Sequence, residues 1–125
     1  MKERFVRSND DLDDGEELIL RGGDLDPSII RRDAQRMFDI YGTYGISVFA
    51  LRGATIDELA QQAPLVRFPH FTVMTVRTIR LLGLRLEPTG RNHRHYTLTL
   101  RSLDEDVAAL VSADHHVWMN PYHEA

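Results

Sequence analysis

The sequence predicts an α+β domain, in which a mixed sheet with a C-terminal β-hairpin is packed by three to four short helices. Three observations predict it. GISVFALR (45–52) is a β-branched and aromatic run that is apolar almost throughout, as a central strand is. LRLEP (84–88) and HYTLTL (95–100) alternate polar and apolar residues around TGRNHR, which reads as a hairpin loop. Two capping-box signatures, Thr55-Ile-Asp-Glu58 and Ser102-Leu-Asp-Glu105, each precede an apolar stripe of helical period.

The elements follow in order. Residues 1–15 are charged and almost without apolar anchors, so a disordered acidic segment is expected there, with a single domain over 16–125. ELILRG (17–22) has strand character and ends at a Gly-Gly turn. Asp26-Pro27 supplies an N-cap and a first-turn proline. Ile30, Ala34, Met37, Phe38 and Tyr41 then recur at helical spacing, and Gly42 can close that helix. Ile56, Leu59, Ala60 and Ala63 form the stripe of a second helix that stops at Pro64. FTVMT (71–75) reads as a strand, and Thr75 caps a short helix, VRTIRLLG, ended by Gly83. After the hairpin, Leu103, Val107, Leu110 and Val111 make the last helical stripe. HHVWMNPYHEA has no period, and Trp118 is expected to dock it.

Composition narrows the function classes. The chain has 125 residues and 42% hydrophobic content, enough for one core. No apolar run approaches a membrane span and no signal-peptide segment opens the sequence, so a cytoplasmic protein with no membrane partner is expected. The absence of cysteine removes disulfides, thiolate nucleophiles and cysteine-based zinc sites. Lys2 is the only lysine among many arginines, a bias that points to a GC-rich bacterial genome. The formal net charge of −4 and a pI near 5.8 argue against a simple nucleic-acid binder. The charge is nevertheless asymmetric. Asp10, Asp11, Asp13, Asp14, Glu16, Glu17, Asp24 and Asp26 precede a basic centre of Arg67, Arg77, Arg80, Arg85, Arg91, Arg94 and Arg101.

The residues with chemistry to offer lie in that centre. PHFTV (69–73) and RHYTL (94–98) share one rhythm of histidine, aromatic, threonine and aliphatic residue. Residues i and i+2 of a strand share a face, so His70 goes with Thr72 and His95 with Thr97, while Phe71, Val73, Tyr96 and Leu98 turn inward. On neighbouring strands the two imidazoles would work as a general acid and base on a phosphodiester without a metal or other cofactor. Thr72, Thr97, Arg91, Arg94 and His93 would bind the phosphate, and Tyr96, if accessible, would stack a base. The competing reading is two half-exposed strands of ordinary composition, with Arg91, Asn92 and His93 serving as a polar turn.

Each motif resembles the His-x-Thr motif of the 2H phosphoesterases over about ten residues in all. That resemblance implies an acid/base pair, His70 and His95, with Thr72 and Thr97 as phosphate holders. The 24 residues between His70 and the second motif's first histidine candidate, His95, are fewer than that family's layout has. The element order, with Arg91, His93, His95 and Tyr96 on and before a late strand, resembles the RelE/barnase-like bacterial ribonuclease toxins. The expectation is therefore a small metal-independent nuclease or phosphodiesterase acting on RNA or a nucleotide phosphate, in one form the toxin of a toxin–antitoxin pair with an antitoxin as protein partner. The alternative is a non-catalytic protein-interaction module whose acidic head binds a basic partner or folds back on residues 67–101. A more distant alternative is an ADP-ribosyltransferase-like toxin using Arg52 and Glu124. His115, His116 and His123, with Asp114 and Glu124, are metal-ligating types without metal-site spacing, so no metal is expected.

Overall fold

A computed structural model of the protein describes residues 12–50, 53, 55–61, 65–89 and 95–123. Among these residues, six strands and four helices follow one another as β1 (Glu17–Gly22), α1 (Pro27–Tyr41), β2 (Gly45–Phe49), α2 (Ile56–Ala60), β3 (His70–Thr75), α3 (Val76–Leu81), β4 (Arg85–Pro88), β5 (His95–Thr99), α4 (Leu103–Ser112) and β6 (His116–Met119). A short 3₁₀ turn, Leu65–Arg67, precedes β3. The strands form one sheet in the order β4-β5-β2-β1-β3-β6. This is the α+β class with its late hairpin, β4–β5. Among the described residues every pairing is antiparallel, where a mixed sheet was expected.

The middle of the sheet is buried on both faces, against two separate cores. Leu18, Leu20, Ile46, Val48, Met74, Tyr96 and Leu98 face a large core closed by Ile30 and Ala34 of α1 and Val107 and Leu110 of α4. Ile19, Phe71 and Val73 face a smaller one closed by Ile56, Leu59 and Ala60 of α2 and by Leu65. Leu18, Ile19 and Leu20 have no exposed surface although they alternate between the faces, because β1 lies inside the sheet with a layer on either side. Trp118 joins the smaller core by stacking on Phe71, with ring centroids 6.0 Å apart, and so docks the C-terminal segment.

Local chemistry sets the helix ends. Asp26 accepts the Ser28 amide at 2.8 Å, and Gly42 closes α1 with φ +79°, a value that favours glycine. At α2 the Thr55–Glu58 capping box forms in both directions. Thr75 caps α3 through the Thr78 amide. The box expected at α4 does not form. Ser102 Oγ is buried without a hydrogen-bond partner, and Asp106, one turn on, accepts the backbone amides of Arg101 and Ser102 at 2.7 and 3.2 Å. A carboxylate offers more acceptor sites than a hydroxyl and is favoured at a helix N-terminus.

Two further expectations change. Residues 12–15 belong to the body and not to a disordered segment. Leu12 is buried, the Asp14 carbonyl accepts the Arg77 amide at 3.0 Å, and Arg80 bonds the Asp14 carboxylate at 2.6 Å and the Leu12 carbonyl at 2.7 Å. Charge alone suggested disorder, but the Asp14 carboxylate has its partner, Arg80, on α3. His116–Met119, read as aperiodic, is the edge strand β6. Its outward Val117 and Met119 are exposed, so the polar/apolar alternation that marks a strand is missing. The loop expected over TGRNHR lies largely outside the described residues, as do Ala63 and Pro64. Among the described residues, no helix is long and apolar enough to cross a membrane.

Asp106 gives the fold a testable pH dependence. Burial alone would raise its pKa. The Arg101 side-chain hydrogen bond, the Arg101 and Ser102 amides and the Arg101 charge together outweigh burial and hold it below the ordinary 3.8. Such a group contributes stability above its unfolded pKa and loses it as pH falls through the lower folded pKa. Asp106→Asn is expected to cost about 1–3 kcal/mol at pH 7 in urea unfolding, the worth of hydrogen bonds to a charged acceptor. The gap between variant and wild type should narrow below pH 3.8 and close as the wild-type carboxyl protonates. A gap that persists unchanged at the acid end would show that the charge on Asp106 is not what holds the turn.

Candidate functional site

His70 is the first residue of β3 and is half-buried. Its Nε2 lies 2.9 Å from Asp24 Oδ1, and its carbonyl accepts the Gly23 amide at 2.9 Å. Thr72, two residues on, is fully buried and donates its hydroxyl to the Gly23 carbonyl at 2.9 Å. Together they pin the loop that leads into α1. Thr72 therefore has no free hydroxyl to offer a phosphate, which corrects its expected role.

His95 opens β5. Its Nδ1 sits 3.0 Å from the Thr89 carbonyl and 3.1 Å from the Thr89 hydroxyl, and that hydroxyl also meets Thr97 Oγ1 at 2.7 Å. The His95 ring stands edge-on to Phe49, with centroids 5.6 Å apart. Tyr96 is 1% exposed and packs in the large core, so it cannot stack a base. Arg91, His93 and Arg94, with Asn92, Arg52 and Glu124, lie outside the described residues.

The two histidines do not share a site. The pairs His95↔Phe49, Phe49↔Ile19 and Ile19↔Val73 put His95 level with Val73 and on its face, that of the smaller core. His70 is three residues from Val73, an odd number, so it projects from the opposite face. β1 and β2 stand between β3 and β5. Three strand spacings amount to about 14 Å, and three residues along β3 add about 10 Å in the perpendicular direction. No single phosphodiester reaches both rings. The paired acid/base arrangement is thereby corrected. The alternation of PHFTV and RHYTL is real, but Phe71 and Tyr96 fill different cores, so the histidines opposite them look different ways.

The C-terminal histidines do not converge either. His115 Nδ1 bonds the Ala113 carbonyl at 2.8 Å, and His116 lies 3.8 Å from Glu17. Among the described residues, no group of three or more histidine, aspartate or glutamate side chains is placed to hold a metal ion. Tyr122 Oη donates to Asp57 at 2.9 and 3.0 Å, and that bond to a carboxylate raises the phenol pKa.

One concavity among the described residues left no clear mark in the sequence. A groove of about 280 Å3 runs between the C-terminal half of α1 and the ends of β1 and β2. From α1 it takes Asp33, Arg36, Met37, Ile40 and Tyr41, spaced i, i+3, i+4, i+7 and i+8 along one helical face. Only Ile30 and Ala34 of the expected α1 stripe are buried, while Phe38, Ile40 and Tyr41 are 40%, 62% and 43% exposed. Phe38 instead stacks on Tyr44 at 4.5 Å. The sheet side supplies Leu20, Arg21, Gly45, Ile46 and Ser47. Gly45 is needed there, since a Cβ would come within 2.8 Å of Met37 Sδ and 2.7 Å of Thr97 Cγ2.

Arg21 reaches the groove through a β-bulge. Ile19 pairs with Val73 but Arg21 pairs with Thr72, leaving Leu20 as an extra residue. A bulge turns both of its residues toward the side of the single partner. Arg21 thus joins Leu20 on the α1 face, whereas plain alternation would have aimed it at the smaller core with Ile19. No local signal in ELILRG marks the bulge; the breadth of apolar residues over Met37–Tyr41, wider than one buried stripe, is the only sequence trace of the groove.

No protein-family model matches the chain, and neither any curated protein nor any solved structure is significantly similar to it.

The separation of the histidines is checked by NMR titration of their ring signals with a 2′,3′-cyclic nucleotide. A ligand that shifts one of His70 and His95 is expected to leave the other in place. Joint, saturable shifts of both at one midpoint would mean that they share a ligand.

Proposed function

We propose that the protein is a non-catalytic binding domain, with the groove between α1 and the sheet as its site. The observation that carries this reading is the behaviour of α1. Its apolar stripe continues past the core, and the last two turns wall an open concavity instead of burying themselves. Exposed apolar side chains around a pocket, with a few convergent polar groups, are what ligand sites present. The volume lies just under the roughly 300–1,000 Å3 of ligand clefts, which suits a small ligand. The folding of Asp14 onto Arg80 favours this site over the acidic head as the means of interaction, since that one charge of the head is already paired inside the molecule.

A fragment screen followed by amide NMR tests it. Hits are expected to perturb residues 20–21, 33–41 and 45–47. Met37→Trp, which fills the groove, should abolish them while the protein keeps a cooperative thermal transition. Hits that cluster around His95 instead would overturn the assignment.

One observation favours a second reading, a metal-independent nuclease that uses His95 alone. The Thr89 carbonyl can only accept, so the proton of a neutral His95 sits on Nδ1 and the lone pair on Nε2. That is the tautomer of a general base, and Arg91 and Arg94 are close in sequence. Under this reading chelator-insensitive RNA cleavage is lost in His95→Ala and kept in His70→Ala. Equal activity in both variants would sink it.

A further inference from the structure

The groove carries more cationic charge than the fold requires. Arg31, Arg32, Arg80, Arg85 and Arg101 each pair with a carboxylate. The two arginines that line the groove do not. Arg21 makes one hydrogen bond, from Nε to the Gly22 carbonyl at 3.0 Å, which leaves its terminal nitrogens unengaged among the described residues. Arg36 has no hydrogen bond or ion pair among them. The exposed Arg67 and Arg77 also lack a carboxylate partner, but they do not line the groove. The one acid on the groove's rim, Asp33, is 3.5 Å from Arg32, outside the groove lining. Two guanidinium groups therefore face a floor and wall made of Leu20, Ile30, Met37, Ile40 and Ile46.

We propose that the groove binds a small amphiphile ending in an oxyanion, a carboxylate or a phosphate monoester, whose apolar body lies along α1 and whose oxyanion is held by Arg21 and Arg36. The proposal rests on the groove being the binding site. Its physical basis is charge complementarity. An Arg fork matches a planar or tetrahedral oxyanion with two parallel hydrogen bonds, and partial exclusion of water by the apolar wall strengthens them. A neutral amphiphile would gain the apolar contacts only. A cationic one would meet two like charges.

The test uses four probes that share one chain, octanoate, octyl phosphate, 1-octanol and octylammonium, titrated into the full chain and followed by amide NMR and calorimetry. Octanoate or octyl phosphate is expected to bind at the groove at least about tenfold more tightly than 1-octanol, with octylammonium weakest. Comparing the first two identifies the oxyanion. Arg36→Gln, at an exposed position, and Arg21→Gln should each remove about a tenfold preference for the anion and leave 1-octanol unchanged. Asp33→Asn should raise anion affinity, since it removes the one opposing charge. If 1-octanol equals the anions, or both glutamine variants keep the preference, the oxyanion proposal is overturned while the groove stands as a site. If none of the four probes perturbs the groove but neutral fragments do, the proposal falls in the same way. If nothing at all binds there, the proposal and the reading beneath it fall together.

Discussion

Burial of β1 on both faces is the constraint from which the rest of the structure follows. Leu18 and Leu20 commit one side of the sheet to α1 and α4, and Ile19 commits the other to α2 and the 3₁₀ turn. Burying an aliphatic side chain of this size is worth about 1.5–3 kcal/mol, so three consecutive buried residues leave little freedom in register. A slip by one residue would exchange the two cores. With β1 fixed between β2 and β3, the outer strands fall into place and the distances between all sheet residues are set.

That constraint separates function from rhythm. Two His-aromatic-Thr-aliphatic segments look equivalent along the chain. In the sheet they lie on β3 and β5, with two strands between them, and their apolar members fill opposite cores. His70 and Thr72 hold the loop before α1, and His95 with Thr89 and Thr97 forms a polar knot beside the hairpin. Both sets are satisfied by internal hydrogen bonds.

The groove arises from three separate departures from regular structure. The bulge at Leu20 re-aims Arg21, Gly45 lets Met37 lie against the sheet, and α1 runs on beyond the core that its first half covers. A bulge shifts an arginine to a face where it has no ion-pair partner among the described residues, and Ile40 and Tyr41 leave much of their apolar surface exposed. Departures from regular structure that meet at one place are natural candidates for a binding surface.

How much the sequence determined can be read from particular residues. The caps at Asp26, Thr55 and Thr75, the stop at Gly42, the central strand 45–49 and the β4–β5 hairpin all follow from local chemistry, because each depends on residues within a few positions of one another. So does the fact that His70 and His95 each point away from their aromatic neighbours. The sequence could not say which face each strand turned to which core, because alternation has no sign until strands are paired. Nor could it place Asp106 in the role expected of Ser102, show Asp14 bound to Arg80 across the fold, or reveal the bulge that aims Arg21. Those were decided by contacts between distant parts of the chain. Local sequence fixes how each residue is oriented relative to its neighbours, and tertiary packing alone fixes what that orientation faces.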